Sequence, residues 1–322
     1  ENLKHLKIPK KLGFNLNLGD ENYFEKKACS NDEHLNHITT FIMKNKETVI
    51  DDRKLKAKFV CFRGLLRLIM NTPYENRETW LINAIKFRGS IYLCAEETTE
   101  KKNQKMNETL QDKKFQRYGF KFEKHILQSS LGDSGDSANS GCYEAEEFCI
   151  MFQTHLNNNL ILYGAEIDGV KNDMKETIEN LEDLQKCTLV EVKVKRRENN
   201  DRQLQNYYKF KSRNWWCQSF LVGIKDIVTG LRDDNGIVHE ITTIELSELA
   251  RVAKASNYWH PNVCMNFLDD FIEKISNDMI NFDDPYIMLQ YSFNPNYEFI
   301  NYRRINSHSF LSSEYIQFIK NL

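Results

Sequence analysis

The sequence predicts an α+β fold in which a central mixed β-sheet is flanked by helices, within one domain spanning residues 1–322. Helix-like and strand-like segments are mixed along the chain without the regular alternation of a parallel α/β protein. Runs such as LVEVKVK (189–195) alternate apolar and charged residues, as half-buried strands do. Turn signals such as FRGS (87–90) and NNN (157–159) separate neighbouring β-rich segments, which predicts hairpins.

The N-terminal half supplies a first series of predicted elements. Residues 1–30 are predicted to be irregular. The charged run 100–117 predicts a solvated helix that breaks and then resumes over YGFKFEKHIL (118–127). The Gly-, Ser- and Asp-rich segment 129–142 predicts a mobile surface loop. The other predicted elements are a helix near 32–46, a strand from 57 running towards a helix that ends near 71–78, and a hairpin over 79–98.

The C-terminal half continues with the same mixture of elements. The segments 146–156 and 160–170 predict an antiparallel strand pair, because they flank the NNN turn. Residues 201–224 have the length and spacing of one helix. The remaining predicted elements are strands at 187–195, 225–233 and 236–246, helices at 247–256 and 262–278, and a strand pair within 286–302.

Composition excludes several classes of protein. Hydrophobic residues make up 41% of the chain and charged residues 28%, and the formal net charge is −2, so a nucleic-acid site must be a local basic patch. The eight cysteines form no C-x-x-C pair, which argues against a disulfide framework or a structural zinc site. No run reaches membrane-spanning length, and the first residues lack the apolar core of a signal peptide. We therefore expect a soluble, intracellular protein that does not bind membranes.

Two pairs of charged residues suggest chemistry. Glu166 and Asp168 lie two apart in LILYGAEID, so on an extended strand both point to the same face. Glu191 and Lys193 have the same spacing in LVEVKVK, with valines on the opposite face. Adjacent carboxylates repel one another unless a cation lies between them. The two segments therefore predict a cluster of acidic residues that shares a cation.

An acidic residue followed by acidic-x-Lys resembles the active site of restriction-type, metal-dependent nucleases. Clustered carboxylates favour a hard cation, either Mg²⁺ or Mn²⁺, as one or two ions. Such an ion lowers the pKa of water and stabilises charge that develops on phosphorus. Alternating charge on a half-exposed sheet gives the same letters, so this motif alone leaves both interpretations open.

A longer series of segments is more specific. It resembles the decapping exoribonuclease family (DXO), which includes the fungal nuclear proteins that partner a 5′→3′ exoribonuclease, and it covers roughly residues 55–240. The segments, in order, are FVCFRG, NTPYE, YGFKFE, GAEIDGV, VEVK, WWCQSFLVGI and IVTGLRDDNGIV.

The resemblance implies a set of metal ligands. Glu166 and Asp168 match the family motif of two acidic ligands, and Glu191 matches the acidic residue of its E-x-K motif. Glu123 matches an active-site glutamate near the metals. The backbone carbonyl of Val192 is expected to complete the shell. A glutamate that simply faces solvent on its helix is the alternative for Glu123.

The resemblance also implies catalytic and substrate-binding residues. Lys193, Gln218 and Glu123 are the expected catalytic residues, and Lys193 and Gln218 are also expected to bind the substrate phosphate. Arg63 is expected to bind the RNA 5′ end. A structural salt bridge is the alternative for Arg63, and a satisfied core amide for Gln218. A basic cluster near these motifs is expected to form an RNA-backbone groove or, alternatively, a solvated face; it comprises Lys193, Lys195, Arg196, Arg197, Arg202, Lys209, Lys211 and Arg213.

The function implied by the resemblance is a Mg²⁺- or Mn²⁺-dependent hydrolase of RNA 5′ ends. Its expected reactions are the removal of incomplete or non-canonical caps, including NAD caps, 5′ pyrophosphohydrolysis and 5′→3′ trimming. A non-catalytic module that binds RNA 5′ ends or stabilises a partner exonuclease is one alternative, and a restriction-type DNA nuclease is another. We further expect a monomer that can bind a 5′→3′ exoribonuclease, in the nucleus or cytoplasm, with the nucleus favoured.

Overall fold

The architecture comes from a computed structural model that describes residues 3–19, 23–24, 34–128, 142–143, 147–171, 178, 180–297, 300–306 and 308–322. These residues divide into two compact units, each assembled from three separate segments. The first unit comprises Glu1–Ala28, Glu108–Ile150 and Glu166–Trp259, and the second comprises Cys29–Asn107, Met151–Ala165 and His260–Leu322.

Strands and helices follow one another along the whole chain. The strands are β1 (His5–Leu6), β2 (Phe14–Asn15), β3 (Tyr23–Phe24), β4 (Ile50–Asp51), β5 (Lys54–Leu55), β6 (Phe59–Phe62), β7 (Trp80–Phe87), β8 (Ser90–Glu96), β9 (Leu127–Gln128), β10 (Cys142–Tyr143), β11 (Cys149–Leu156), β12 (Asn159–Glu166), β13 (Gly169–Lys171), β14 (Thr188–Arg196), β15 (Asp226–Arg232), β16 (Ile237–Glu245), β17 (Ile287–Phe293) and β18 (Asn301–Asn306). The α-helices are α1 (Asn36–Lys44), α2 (Lys46–Val49), α3 (Arg63–Asn71), α4 (Thr99–Met106), α5 (Leu110–Ile126), α6 (Leu181–Lys186), α7 (Asp201–Asn206), α8 (Ser212–Phe220), α9 (Leu246–Ala255), α10 (Pro261–Asp278) and α11 (Ser313–Lys320).

The predicted α+β class, with mixed sheets and flanking helices, is confirmed. The expectation of one central sheet is wrong, because each unit contains its own seven-stranded sheet. Which strands pair across long stretches of chain is a non-local property that hydrophobic periodicity does not encode. The assignment of residues 1–322 to a single domain stays a prediction.

The sheet of the first unit has the order β2-β16-β15-β14-β13-β1-β9. Strands β14 and β15 run parallel, whereas β13–β14 and β15–β16 are antiparallel. Helix α5 covers one face of this sheet. A cluster of buried apolar side chains joins the helix to the strands, and it includes Tyr118, Phe122, Ile126, Val190, Val192 and Val228.

The second unit holds the sheet β11-β12-β6-β8-β7-β17-β18, in which β6 runs parallel to both β8 and β12. The predicted hairpin at FRGS is confirmed as β7–β8. Its two turn residues, Arg88 and Gly89, have φ values of 52° and 87°, the left-handed conformation that the twist of a tight hairpin requires. Trp80 packs edge-to-face on Phe271 of α10 at 5.7 Å between ring centroids.

Several predicted boundaries differ from the structure. The long charged segment breaks before Leu110, not after Arg117, because Thr109 and Asp112 form a capping box that starts α5. Residues 1–30, predicted to be irregular, include the short strands β1, β2 and β3. Helix α11 was not predicted. Of the predicted mobile loop at 129–142, residues 129–141 lie outside the described residues, and Cys142 begins β10. Within the described parts of the chain, no helix is long and apolar enough to span a bilayer.

The contact between α5 and the sheet requires a glycine at position 230. A Cβ atom there would lie 2.5 Å from Cε2 of the buried Phe122 ring. We therefore expect Gly230→Ala to lower the free energy of unfolding by about 1–3 kcal/mol, as overpacking in a filled core does. Urea denaturation measures this change.

A second glycine provides the control. Gly119 lies in α5, and no atom lies within 4 Å of the position that a Cβ atom would take there. Gly119→Ala should therefore raise stability slightly, by about 0.5–1 kcal/mol, because alanine favours a helix more than glycine does. Unchanged stability in Gly230→Ala would contradict the packing described here.

Candidate active site

Strand β14 places Glu191 and Lys193 on one face of the sheet of the first unit. Their neighbours Val190 and Val192 lie on the other face, in the apolar cluster beneath α5. The Lys193 ammonium forms a hydrogen-bonded ion pair with Oε1 of Glu191, which confirms that the two side chains share a face. Glu191 is fully buried. A buried carboxylate needs such a cation or several donors, because water does not solvate it.

Helix α8 brings an amide to the same carboxylate. Gln218 Nε2 donates a hydrogen bond to Glu191 Oε1 at 2.5 Å, so Gln218 is not merely a core amide bonded to backbone. The predicted helix over 201–224 is confirmed as α7 and α8, joined by a π-helical segment at Tyr207–Lys211. Trp259 Nε1 donates to Tyr208 O and Ser212 Oγ, both at 3.0 Å, which fixes the start of α8. Trp215 and Trp216 are buried.

The other pair of carboxylates is arranged differently from the prediction. Glu166 is the last residue of β12, Asp168 lies in the link that follows, and β13 begins at Gly169. The two are therefore not on one uninterrupted strand. Since β13 pairs with β14 only as far as Val190, the Asp168 carboxylate replaces a strand partner and accepts the Val192 N–H at 2.7 Å.

Electrostatic coupling shows that these acidic groups lie close together. Burial, followed by repulsion from Glu191, raises the pKa of Asp168 to about 7. Burial and then repulsion from Asp168 and Glu166 raise the pKa of Glu123 well above its ordinary range. Glu123 is half-buried on α5, so the alternative of a simply solvated glutamate is wrong. Electrostatic interactions thus link Glu123, Glu166, Asp168 and Glu191 within the first unit, and their assignment as the ligands of one shared cation stays a prediction.

Lysine 193 is the cation that these carboxylates share. Burial lowers its pKa, but attraction to Glu191, Asp168 and Glu123 outweighs that effect and raises the pKa overall. The ammonium therefore stays charged at neutral pH and offsets part of the repulsion among the acidic groups.

The donor set fits a hard divalent cation. Burial, followed by repulsion from neighbouring carboxylates, raises the pKa values of Glu123 and Asp168, so added positive charge would stabilise their ionised forms. Oxygen is also the ligand that Mg²⁺ and Mn²⁺ prefer. Among the described residues, no three carboxylate, imidazole or thiolate side chains are already arranged to hold an ion. The assignment of the Val192 carbonyl as a ligand stays a prediction.

Arg63 belongs to the second unit, where it is the first residue of α3 and is buried. The carboxylate cluster lies wholly in the first unit. The role of Arg63 at the RNA 5′ end stays a prediction.

Several cations of the predicted basic groove form ion pairs with carboxylates of this protein, so they are not all available to bind RNA. Arg196 pairs with Asp234, and Arg197 pairs with Glu240. Lys195 is buried, bonds to Glu198 at 2.7 Å and lies 3.8 Å above the ring of Tyr207. Internal carboxylates thus neutralise three cations of the cluster. Arg196 and Arg197 are exposed despite their pairing, and Arg202, Lys209 and Lys211 are exposed as well.

The sequence analysis did not identify one residue that lies next to the candidate site. Thr229 of β15 lies directly opposite Lys193 of β14 in the parallel pairing. The strand–helix–strand order of 188–232 is the signal that would have found it, since such a crossover commonly joins parallel strands.

The chain is similar to known proteins over most of its length. Residues 1–316 match the family model described as RAI1 like PD-(D/E)XK nuclease. The decapping and exoribonuclease protein Rai1 of Drosophila melanogaster is 32% identical over 289 residues, which cover 88% of this chain and 76% of the relative.

Solved structures show the same fold. The crystal structure of Scheffersomyces stipitis Rai1 in complex with (3'-NADP)+ and calcium ion matches with a TM-score of 0.86 and 19% identity, covering 100% of this chain and 89% of that one. Candida albicans Rai1 in complex with pU5-Mn2+ matches with a TM-score of 0.85 and 17% identity, covering 99% and 89%. Together with the carboxylate–lysine cluster on β14, the family match over nearly the whole chain identifies this protein as a member of the RAI1-like PD-(D/E)XK nuclease family.

Proposed function

We propose that this protein is a divalent-metal-dependent hydrolase that acts on RNA 5′ ends. Its reactions would be the removal of incomplete or non-canonical caps, including NAD caps, together with 5′ pyrophosphohydrolysis or 5′→3′ trimming. The observation that carries this proposal is the convergence of Glu123, Asp168 and Glu191 with Lys193 in the first unit.

Relatives support the choice of substrate and metal. The Drosophila relative carries the name of a decapping and exoribonuclease protein. The Candida albicans protein was crystallised with pU5 and Mn²⁺, and the Scheffersomyces stipitis protein with (3'-NADP)+ and calcium. A 5′-phosphorylated oligonucleotide and a nicotinamide dinucleotide are the kinds of ligand that a hydrolase of RNA 5′ ends would bind.

Glu123, Glu166, Asp168 and Glu191 would hold one or two Mg²⁺ or Mn²⁺ ions, which supply charge for the phosphorus centre and lower the pKa of water. Glu191 holds its negative charge in a fully buried position, where electrostatic interactions are stronger than in water.

Lys193 and Gln218 would orient the substrate. Both are hydrogen-bond donors that already point at one oxygen of Glu191. Released from that oxygen, the ammonium and the amide can donate to a phosphate and stabilise charge that develops on it. Arg63 would bind the phosphate at the RNA 5′ end, since a guanidinium can donate two parallel hydrogen bonds to a phosphate.

We also infer the setting in which the protein works. It would act as a monomer in the nucleus or cytoplasm, with the nucleus favoured, and would associate with a 5′→3′ exoribonuclease. The resemblance to the decapping exoribonuclease family, which includes fungal nuclear proteins that partner such an exoribonuclease, supports this inference.

The first test removes two acidic groups. We expect Glu166→Ala with Asp168→Ala to lower hydrolysis at least about 10³-fold, because charge stabilisation at phosphorus is lost. The measurement is product release from 5′-labelled RNA in Mn²⁺, with a circular dichroism melt to verify folding. Glu166→Gln with Asp168→Asn keeps the hydrogen-bond acceptor for Val192 and should be equally inactive.

The matched control is Glu248→Gln, which removes an exposed carboxylate that bonds to Arg251 on α9 and should leave turnover unchanged. RNAs with 5′-monophosphate, triphosphate, cap, NAD cap and hydroxyl ends, assayed beside a DNA of the same sequence, define the substrate. Full activity in the purified double variant, or a preference for DNA, would defeat the proposal.

The second test uses the pKa of Asp168, which is raised from 3.8 to about 7. The folded carboxyl holds its proton more tightly than the unfolded one, so its ionisation costs stability as the pH rises through this interval. In EDTA, Asp168→Asn should therefore be more stable than the wild type above pH 7 by about 1–3 kcal/mol, and the difference should vanish below pH 4.

Mn²⁺ should reverse this order. Because protons compete with the ion for the carboxylates, Mn²⁺ should raise the Tm of the wild type more at pH 8 than at pH 6, and should affect Asp168→Asn little. A Mn²⁺ effect that is independent of pH, or equal in both proteins, would show that the ion binds elsewhere.

A further inference from the structure

The side chain of Thr229 is an anomaly in the core of the first unit. The residue is 0% exposed, and within the described residues its hydroxyl oxygen has no hydrogen-bond partner. A buried hydroxyl without a partner destabilises a fold, and valine would fill the same space without that cost. The hydroxyl therefore calls for an explanation beyond packing.

The strand register places this hydroxyl beside the active site. In the parallel pair β14–β15, Thr229 lies opposite Lys193, and Val228 lies opposite Val192. Val192 and Val228 both belong to the apolar cluster under α5, so Thr229 shares the opposite face with Lys193. Gly230, whose Cβ would meet Phe122, confirms this alternation. Adjacent strands lie about 4.8 Å apart, which is within the reach of a lysine side chain.

Lys193 needs two positions if the site binds a divalent ion. In this structure its ammonium bonds to Oε1 of Glu191. The same carboxylate is an expected ligand of the ion, and a divalent ion at either of its oxygens would repel the ammonium at Oε1. An uncharged acceptor close by would let the ammonium move away from the ion without leaving the site. A threonine hydroxyl can accept such a hydrogen bond.

We propose that Thr229 is a positioning residue that accepts a hydrogen bond from Lys193 when Glu191 binds the divalent ion. This inference rests on the proposed function. The hydroxyl would keep the displaced Lys193 ammonium at the site, where the ammonium donates a hydrogen bond to the substrate phosphate. While the ammonium bonds to Oε1 of Glu191, the hydroxyl lacks this donor, in accord with its lack of a partner among the described residues.

The test separates the hydroxyl from its packing. Thr229→Val keeps the shape and removes the acceptor, so in EDTA its Tm should equal or exceed that of the wild type. Its kcat should fall about 10–100-fold, the scale of loss when a catalytic group is misplaced, with KM changing less. Mn²⁺ affinity, read from the electron paramagnetic resonance of unbound Mn²⁺, should fall several-fold, since Lys193 then competes for Glu191.

Two variants complete the design. Thr229→Ser restores the hydroxyl and should recover both kcat and Mn²⁺ affinity. Thr242→Val removes the same atom from the residue that pairs with Thr229 on β16, one strand further from Lys193, and should behave as the wild type.

Three results would overturn the inference. They are an unchanged kcat and Mn²⁺ affinity in Thr229→Val, a Tm loss in EDTA that reveals a structural hydrogen bond, or an equal loss of activity in Thr229→Ser. Failure of the proposed function is a different result, namely a wild-type protein that binds Mn²⁺ but hydrolyses none of the RNAs.

Discussion

The buried ion pair between Glu191 and Lys193 is the constraint on which the candidate site depends. A carboxylate with no exposed surface persists in a sheet only if donors surround it, and here an ammonium and the Gln218 amide both bond to one of its oxygens. This requirement determines the side-chain orientation of β14 and the side of α8 that packs on it. It also leaves a strongly charged group where catalysis needs one, since burial strengthens its interactions.

The remaining acidic groups of the candidate site lie beside that pair, along β14. Its neighbour β13 stops pairing at Val190, and the next N–H, that of Val192, is satisfied by the Asp168 carboxylate. A polar backbone group that would normally bind another strand thus fixes an acidic side chain. The opposite face, filled by Phe122 and the valines, packs the strand against α5. The candidate site and the hydrophobic core therefore lie on opposite faces of the same strand, β14.

Sequence reasoning succeeded where the signal is local. The two-residue alternation around Glu191 and Lys193 predicted their shared face, and the Gly-containing turn predicted the β7–β8 hairpin. It failed where distant segments decide the outcome. The strand predicted through Glu166 and Asp168 ends at Glu166, and the chain builds two sheets where one was expected. The start of α5 was a local signal that was missed, since the capping box at Thr109 and Asp112 is legible in the sequence.

The interleaving of the two units along the chain has a consequence for biosynthesis. Each unit is built from three separate segments, so no uninterrupted fragment contains either seven-stranded sheet. On the ribosome, β6, β7 and β8 emerge long before β17, which lies between β7 and β18 in the finished sheet. Until β17 arrives, one side of β7 exposes unpaired backbone groups that invite association with other nascent chains. Synthesis of the protein is therefore most vulnerable to aggregation before β17 emerges, and this is the stage at which a chaperone would protect the incomplete sheet.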